Sequence, residues 1–238
     1  MIQDNCQIKL TPRLQLAADM ARPCVTAADI GTDHAYLPAY LIHYKQCPHV
    51  IAADLRQGPL NNAAETLKKY QIGQEAELRL CNGLDGINPE EAYDIFICGM
   101  GGDMICHILS RAPWIKNSAY HLILQPMTRA AEVRRYLCAE GFDILEERAA
   151  RETEHCYTVL CAEFTGHIYP ADEVFLQIGK LSHHLDENAR FYILRQAQRL
   201  EAKARGMEKS ATNTGGAQAF YELAQKIRKI LDYPFAGL

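Results

Sequence analysis

The sequence has no long hydrophobic run, and this absence excludes several classes of protein. Nowhere do its 238 residues approach the roughly 18 consecutive apolar residues of a membrane span. The N-terminal segment, with Asp4 and Lys9, lacks the apolar core of a signal peptide. A Gly-x-x-x-x-Gly-Lys-Ser/Thr phosphate loop is also missing, which argues against an NTPase. We therefore expect a cytoplasmic protein that does not enter a membrane.

Patterns typical of disulfides and metal sites are missing as well. The nine cysteines are an odd number, none of them forms a Cys-x-x-Cys pair, and most lie in apolar stretches, as Cys81 and Cys98 do. The nine histidines show no metal-ligand spacing with carboxylates. Free thiols in a reducing compartment explain the cysteines best, and we predict that no metal is bound.

One stretch stands out against this background, ADIGTDHAYL at residues 28–37. A strand that ends in Asp-x-Gly and runs into a helix can present backbone N–H groups and a carboxylate to an adenosyl cofactor. Only Gly31 of the Gly-x-Gly-x-x-Gly triplet is present, so an ordinary strand-to-helix turn remains an alternative. We assign Asp29, Gly31 and His34 to a cofactor site, while a helix-capping role for His34 stays open.

The next two strands end in polar residues too. The strand at 49–54 ends in Asp54, 25 residues after Asp29, where an acid can accept both ribose hydroxyls of a nucleotide cofactor. We assign Asp54 and the following Leu55 to the cofactor site. The strand at 76–81 leads into the turn NGLDG at 82–86. Its residues are either turn formers or contacts for the adenine edge, and the assigned set is Asn82, Gly83 and Asp85.

Glycines follow the fourth predicted strand, which spans residues 93–98. The segment GMGG at 99–102 precedes a helix expected from about residue 103, and its glycines would let a ligand approach the backbone closely. We assign Gly99 and Met100 to the cofactor, and Gly101 and Gly102 to the substrate. The fifth predicted strand, 121–125, is expected to lose its pairing at the following proline. The residues at that point, Gln125 and Pro126, are assigned to the substrate.

These strands alternate with helices, which predicts parallel βαβ units and an α/β fold. Right-handed crossovers would place the carboxyl end of every parallel strand along one rim. Segments 141–148 and 155–164 then read as a β-hairpin that closes the sheet edge, so seven strands are predicted. Strand patterning stops at about residue 166, and we expect a Rossmann-like catalytic domain at 1–165 and a helical domain at 166–238.

Helical periodicity marks the second segment. The three apolar series are Val174, Ile178, Leu181 and Leu185; Phe191, Leu194, Ala197 and Leu200; and Phe220, Leu223, Ile227 and Ile230. A turn at 212–216 would fold the last helix back, giving a helical hairpin or a three-helix module.

Several blocks of the chain, taken in order, resemble the bacterial tRNA (adenine(22)-N(1))-methyltransferases. The blocks are DIGTDHAYLP at 29–38, Gly58-Pro59, GMGG at 99–102, ILQP at 123–126, and Cys156-Tyr157. The resemblance covers nearly the whole chain. It implies the seven-stranded sheet of a class I methyltransferase, a helical C-terminal domain, S-adenosylmethionine as cofactor and tRNA as partner. The chain departs from the family pattern at Asp54, Met127 and Thr158.

The charge distribution bears on the RNA partner. Residues 166–238 hold ten Lys and Arg against eight Asp and Glu, while the whole chain has a net charge of −4 and a pI near 6.1. The basic residues of this segment either lie on solvated helix faces or contact the phosphates of an RNA. With the resemblance favouring phosphate contacts, we assign Arg195, Arg199 and Tyr157 to the substrate.

Asp33, just beyond the Gly31 turn, is our catalytic candidate, with His34 as the runner-up. N1 of adenine already carries a lone pair, so a carboxylate is needed only to stabilise the cationic product or to accept a proton from the amine. Three alternatives remain open: a small-molecule or protein methyltransferase, a nicotinamide-dependent oxidoreductase, and a non-catalytic Rossmann module. The sequence also leaves the oligomeric state open between a monomer and a weak dimer.

Overall fold

A computed structural model describes residues 7–209 and 214–232. Its seven strands form one sheet in the order β3-β2-β1-β4-β5-β7-β6. The strands β1 to β5 are parallel, and β7 runs antiparallel to both β5 and β6. Their bounds are β1 (Ala27–Ile30), β2 (Val50–Asp54), β3 (Ala76–Leu80), β4 (Asp94–Gly101), β5 (His121–Thr128), β6 (Phe142–Glu152) and β7 (His155–Phe164). The predicted Rossmann-like seven-stranded sheet is confirmed.

Helices cover both faces of the sheet, which explains why the central strands read as continuous apolar runs. On one face lie α1 (Pro12–Asp19), α2 (Tyr36–Lys45) and α3 (Gln57–Lys69). The other face carries α4 (Gly102–Ser110) and α5 (Ala130–Ala139). The helix α1 was not predicted from the sequence. This helix has proline in its first turn, where a missing N–H costs nothing, and it buries Ala17 and Ala18.

Three predicted strand ends were wrong, and one of them is that of β6, which continues past residue 148 to Glu152. Pairing does not stop at Pro126, because Pro126 lies opposite Met100 and β5 continues to Thr128. The strand β4 likewise runs past Cys98 to Gly101, and its register shifts at Met100. Gly99 has φ +82°, a conformation that places an extra residue in the strand as a bulge. A proline is tolerated next to such an irregularity, since the regular hydrogen-bond ladder is already interrupted there.

The C-terminal segment contains α6 (Glu173–Ile178), a short 3-10 helix (Gly179–His183), α7 (Glu187–Lys209) and α8 (Thr214–Leu231). The first predicted helix is therefore broken, because Gly179 has φ +56° and a Cβ there would lie 1.7 Å from a carboxylate oxygen of Glu147. Part of the predicted turn at 212–216 lies outside the described residues. The rest of it, 214–216, belongs to α8.

A buried charge network joins the C-terminal helices to the sheet. Arg134 of α5 and Glu147 of β6 form an ion pair with no exposed side-chain surface. The Arg134 guanidinium also donates to the Leu176 carbonyl oxygen of α6 at 2.6 Å. The hydroxyl of Thr158 donates to the same glutamate. Since Ala149 and Cys156 of the β6–β7 hairpin pack into the hydrophobic core of these helices, the two parts share one interior.

Within the described residues, no helix is long and apolar enough to cross a membrane. The same residues contain no group of three or more His, Cys, Asp or Glu side chains placed to hold a metal ion. The eight cysteines among them are all free thiols, and Cys24 is the exposed one.

Candidate functional site

The candidate site lies at the carboxyl ends of the parallel strands. The strand β1 pairs with β2 on one side and with β4 on the other. The chain therefore adds β2 and β3 on one side of β1 and then crosses to the other side to form β4. In open α/β sheets, a ligand crevice forms at this point. The predicted cofactor residues Asp29, Gly31, Asp54, Gly99 and Met100 all lie at this rim, at the ends of β1, β2 and β4.

Asp29 is the buried acid of the crevice. Its side chain is almost fully covered, and burial raises the pKa of this carboxyl from 3.8 to about 6, with the nearby Asp54 carboxylate adding to the shift. A positively charged neighbour stabilises the ionised form of such a buried carboxyl, because the cation compensates for the lost hydration. The side chain is therefore suited to hold a cationic ligand.

The turn after β1 uses part of its hydrogen-bonding capacity internally. The N–H groups of Gly31 and Thr32 both donate to the Ala53 carbonyl oxygen, at 2.8 and 2.9 Å. Thr32 is buried, and its hydroxyl has no hydrogen-bond partner of normal geometry within the described chain. Gly31 has φ +81°, a conformation that favours glycine, and a Cβ there would lie 2.1 Å from the Met100 methyl carbon, so a larger residue would displace the Met100 side chain.

Asp54 and Leu55 form the second side of the crevice. One carboxylate oxygen of Asp54 accepts the Arg56 N–H at 2.8 Å, and the other has no partner among the described residues. The next side chain, Leu55, is 64 % exposed although it is apolar. A free carboxylate oxygen beside an uncovered leucine suits a nucleoside, which offers ribose hydroxyls and an apolar base face.

The turn after β3 lies beside Asp54, whose carbonyl oxygen accepts the Cys81 N–H at 3.0 Å. Asn82 is exposed there. The Asp85 carboxylate accepts hydrogen bonds from Nε and Nη2 of Arg111, at 3.1 and 2.7 Å, and this contact lowers the pKa of the carboxyl. Gly83 has φ +58° and packs against Ile108. Contacts of these residues with adenine stay a prediction, and Asp85 would have to share its carboxylate with Arg111.

The irregular segment of β4 is open to the crevice at Gly99. A Cβ built on this glycine would meet nothing within 4 Å. Its N–H donates to the Gln125 side-chain oxygen at 3.0 Å, and the Gln125 amide nitrogen donates to the Pro126 carbonyl oxygen at the same distance. Gln125 is fully buried. The structure thus uses Gln125 to position the bulge, while its predicted contact with a substrate remains untested.

The two glycines that follow differ in their surroundings. A Cβ on Gly101 would lie 3.4 Å from the Thr128 hydroxyl oxygen, which is an ordinary contact. One on Gly102 would lie 2.4 Å from the Arg129 carbonyl oxygen, so backbone packing alone requires glycine at that position.

Asp33 and His34 are exposed in the loop between β1 and α2. Nε2 of His34 lies 3.4 Å from a carboxylate oxygen of Asp33. Their side chains keep 70 % and 50 % of their surface, so both are accessible to a large substrate.

Other predicted substrate residues lie together in a separate cavity of about 430 Å³. Its walls come from the end of β5 and the start of α5, from the β6–β7 hairpin, and from α6 and α7. The walls include Pro126, Tyr157, Arg195 and Arg199, which the sequence analysis assigned without placing them in one site. Neither arginine forms a salt bridge within the described residues. By contrast, Arg228 is paired with Glu201 across the helical hairpin.

Two residues of these sites, Thr32 and Gln196, were not predicted from the sequence. Thr32 follows Gly31 directly, and its position next to the turn was the available signal. Gln196 lines the cavity and is only 8 % exposed, yet its side chain has no hydrogen-bond partner in the described part of the chain. It interrupts the apolar stripe between Ile193 and Ala197, and a glutamine at such a position indicates either a partner or a ligand.

Comparisons with known proteins agree with this geometry. Residues 10–160 match the methyltransferase domain family. The tRNA (adenine(22)-N(1))-methyltransferase of Bacillus subtilis is 34 % identical over 175 residues, which is 74 % of each chain.

Solved structures extend the likeness to the helices. The crystal structure of the B. subtilis m1A22 tRNA methyltransferase TrmK has a TM-score of 0.81 and 27 % identity, and the match covers 95 % of this chain and all of that one. M. capricolum TrmK, solved with S-adenosyl-homocysteine, gives a TM-score of 0.72 at 26 % identity, over 94 % and 97 % of the two chains. The chain belongs to the tRNA (adenine(22)-N(1))-methyltransferase family.

Proposed function

We propose that this chain transfers a methyl group from S-adenosylmethionine to N1 of adenine 22 in tRNA. The observation that carries the proposal is the extent of the match to TrmK, which covers the strand-end crevice and the C-terminal helices together. A methyltransferase for small molecules has no need of the second part. The eight free cysteines of the described residues support action in the reducing cytoplasm, where tRNA is found.

The residues of the crevice fit the cofactor. S-adenosylmethionine, when bound, supplies the sulfonium methyl group. Asp29 would hold a cationic part of the molecule, and Asp54 would accept the ribose hydroxyls with its free oxygen. The unpartnered Thr32 hydroxyl offers a further hydrogen bond, and the open Gly99 backbone lets a ligand approach closely. His34, Leu55, Asn82, Gly83, Asp85 and Met100 complete the proposed cofactor set.

The protein's contribution to the reaction is alignment and charge stabilisation. N1 of adenine is nucleophilic without a base, so the base must be unpaired and held in line for transfer. Gly101, Gly102, Gln125 and Pro126 are proposed to border the adenine. Methylation makes the ring cationic. Asp33, which is exposed beside the crevice, would stabilise this charge as the bond forms.

A methyl-transfer assay with radiolabelled S-adenosylmethionine tests the proposal. Unmodified tRNA should accept one methyl group at N1 of adenine 22, identified by mass spectrometry of nucleosides after digestion. The same tRNA with guanine at that position should accept none. Methylation of both substrates, or binding of NAD in place of S-adenosylmethionine, would refute the proposed function.

A further inference from the structure

We propose that the cavity beside α7 binds the base of a nucleotide adjacent to the target adenine. The side-chain amide of Gln196 would contact the base edge, and Arg195 and Arg199 would contact the flanking phosphates. This inference rests on the proposed function, because it concerns the same RNA. It adds a second binding subsite, distinct from the crevice in which the methyl group is transferred.

The position of the cavity supports a neighbouring nucleotide. Pro126 pairs with Met100, so the cavity wall at β5 is one strand away from the crevice, a distance of about 4.8 Å. None of Gly99, Met100 and Gly101 lines the cavity. A base at the crevice and a base in the cavity would therefore lie on opposite sides of the end of β5, as two adjacent nucleotides splayed apart can do.

Gln196 is the residue that indicates a base. The residue is only 8 % exposed, lines the cavity, and makes no side-chain hydrogen bond within the described chain. An amide offers two donors and one acceptor, and because this one reaches the cavity, these groups are available to a ligand there. The edge of a nucleobase presents the complementary pair of groups, which a phosphate does not, since a phosphate has only acceptors.

The rest of the lining matches a nucleotide. Tyr192, Arg195, Gln196 and Arg199 follow a spacing of three and four residues, which puts them on one face of α7. The two exposed guanidiniums make no salt bridge with the described residues, and they can reach phosphates. Tyr157, half-buried in the opposite wall, offers a ring on which a base can stack. At about 430 Å³, the cavity is within the size range of small-ligand sites.

A double-mutant cycle between protein and RNA tests this assignment in the full chain. The protein change is Gln196→Met, which keeps the side-chain length and removes the amide. The RNA change is an abasic nucleotide on one side or the other of the target adenine. Gln198→Met is the matched control, because Gln198 lies exposed on the same helix and does not line the cavity.

We expect Gln196→Met to weaken tRNA binding about tenfold, a typical loss for one base contact. With the parent protein, one of the two abasic tRNAs should bind more weakly than intact tRNA by a similar factor. With Gln196→Met, that abasic tRNA and intact tRNA should bind equally well. Affinity for S-adenosylmethionine should stay unchanged, as should every property of Gln198→Met. The measurements are the dissociation constant of each tRNA by fluorescence anisotropy and kcat/KM for methylation.

Other outcomes would overturn the subsite. If the affinity losses caused by Gln196→Met and by the abasic nucleotide multiply at both neighbouring positions, Gln196 contacts neither of these two bases. Coupling to an abasic target nucleotide would place the target adenine itself in the cavity. An effect of Arg195→Gln and Arg199→Gln on the salt dependence, with none from Gln196→Met, would mean that the cavity binds phosphate alone. Failure of the parent protein to methylate intact tRNA is a separate result, and it refutes the proposed function.

Discussion

At the scale of single residues, the crevice depends on carboxylates in contrasting environments. Asp29 is buried and has a raised pKa, whereas Asp33 is exposed to an incoming substrate. Their environments suit them to different tasks. A buried carboxylate gains most from a fixed cationic ligand, and an exposed one can meet a base that arrives with the RNA.

Asp29 should make the stability of the free protein depend on pH. Its pKa is raised on folding, so the folded state holds the proton more tightly than the unfolded state between pH 3.8 and about 6. The free energy of unfolding should therefore fall as the pH rises through this window, by at most ~3 kcal/mol. Urea unfolding of the parent and of Asp29→Asn at several pH values isolates this contribution. Identical pH profiles for the two proteins would contradict the assignment.

Asp33→Asn should slow methyl transfer about 10²-fold while both ligands bind nearly as before, because the change removes the charge and keeps the size. Single-turnover rates with saturating cofactor and tRNA measure this step. Asp19→Asn is the control, since it makes the same change at an exposed carboxylate of α1 that belongs to neither site. A loss in Asp33→Asn no larger than that of the control would show that the Asp33 charge takes no part in the transfer.

At the scale of elements, the bulge of β4 and the helix α7 shape the two binding regions. The bulge turns the backbone at Gly99 toward open space, and Gln125 of the adjacent strand holds it in place. The helix α7 presents two exposed arginines and one buried glutamine on the face that lines the cavity.

Gly99→Ala should weaken S-adenosylmethionine binding at least tenfold, because the new methyl group enters space that we assign to the ligand. It should also cost about 1–2 kcal/mol of stability, since φ is +82°. Gly166→Ala is the matched control. Gly166 has φ +76° and lies in an exposed segment after β7, so a similar loss of stability should leave cofactor binding intact. Calorimetric titration and thermal unfolding measure both quantities. Equal cofactor affinities in the two variants would show that Gly99 faces no ligand.

At the scale of the whole molecule, the helical part is held against the sheet by the Arg134–Glu147 pair. Both side chains are fully buried, and the glutamate also accepts the Lys180 N–H at 3.1 Å and the Thr158 hydroxyl. Since the cavity has walls from both parts, this attachment sets the position of α7 relative to the crevice.

Glu147→Gln should destabilise the protein by about 3–5 kcal/mol, because it leaves the buried Arg134 charge without its counter-ion. Glu146→Gln, one residue earlier in β6, removes a glutamate whose side chain is 43 % exposed and pairs with Arg148. That change should cost no more than about 1 kcal/mol. Urea unfolding of the two variants gives the comparison, and similar losses would show that the buried pair contributes little to stability.

The sequence alone determined the α/β architecture, the strand count, and the residues at the strand ends. It could do so because apolar runs and the polar residues that end them are local patterns. Asp29, Asp54 and Gly99 were identified in this way, each from its own strand. Strand ends that depend on pairing were missed, since Pro126 stays in the sheet only because Met100 of the bulged neighbour lies opposite it.

Tertiary structure decided everything that needs two distant segments. Arg134 and Glu147 are ordinary charged residues in the sequence, and only the fold shows that they pair and that the Glu147 carboxylate lies against Gly179, where the predicted helix is broken. Arg195 and Arg199 differ from Arg228 only because folding places Glu201 beside the last one. Gln196 became a candidate binding residue only when its burial and its place in the cavity wall were visible together. Burial, ion pairing and cavity shape depend on contacts between segments far apart in the chain, which no local pattern specifies.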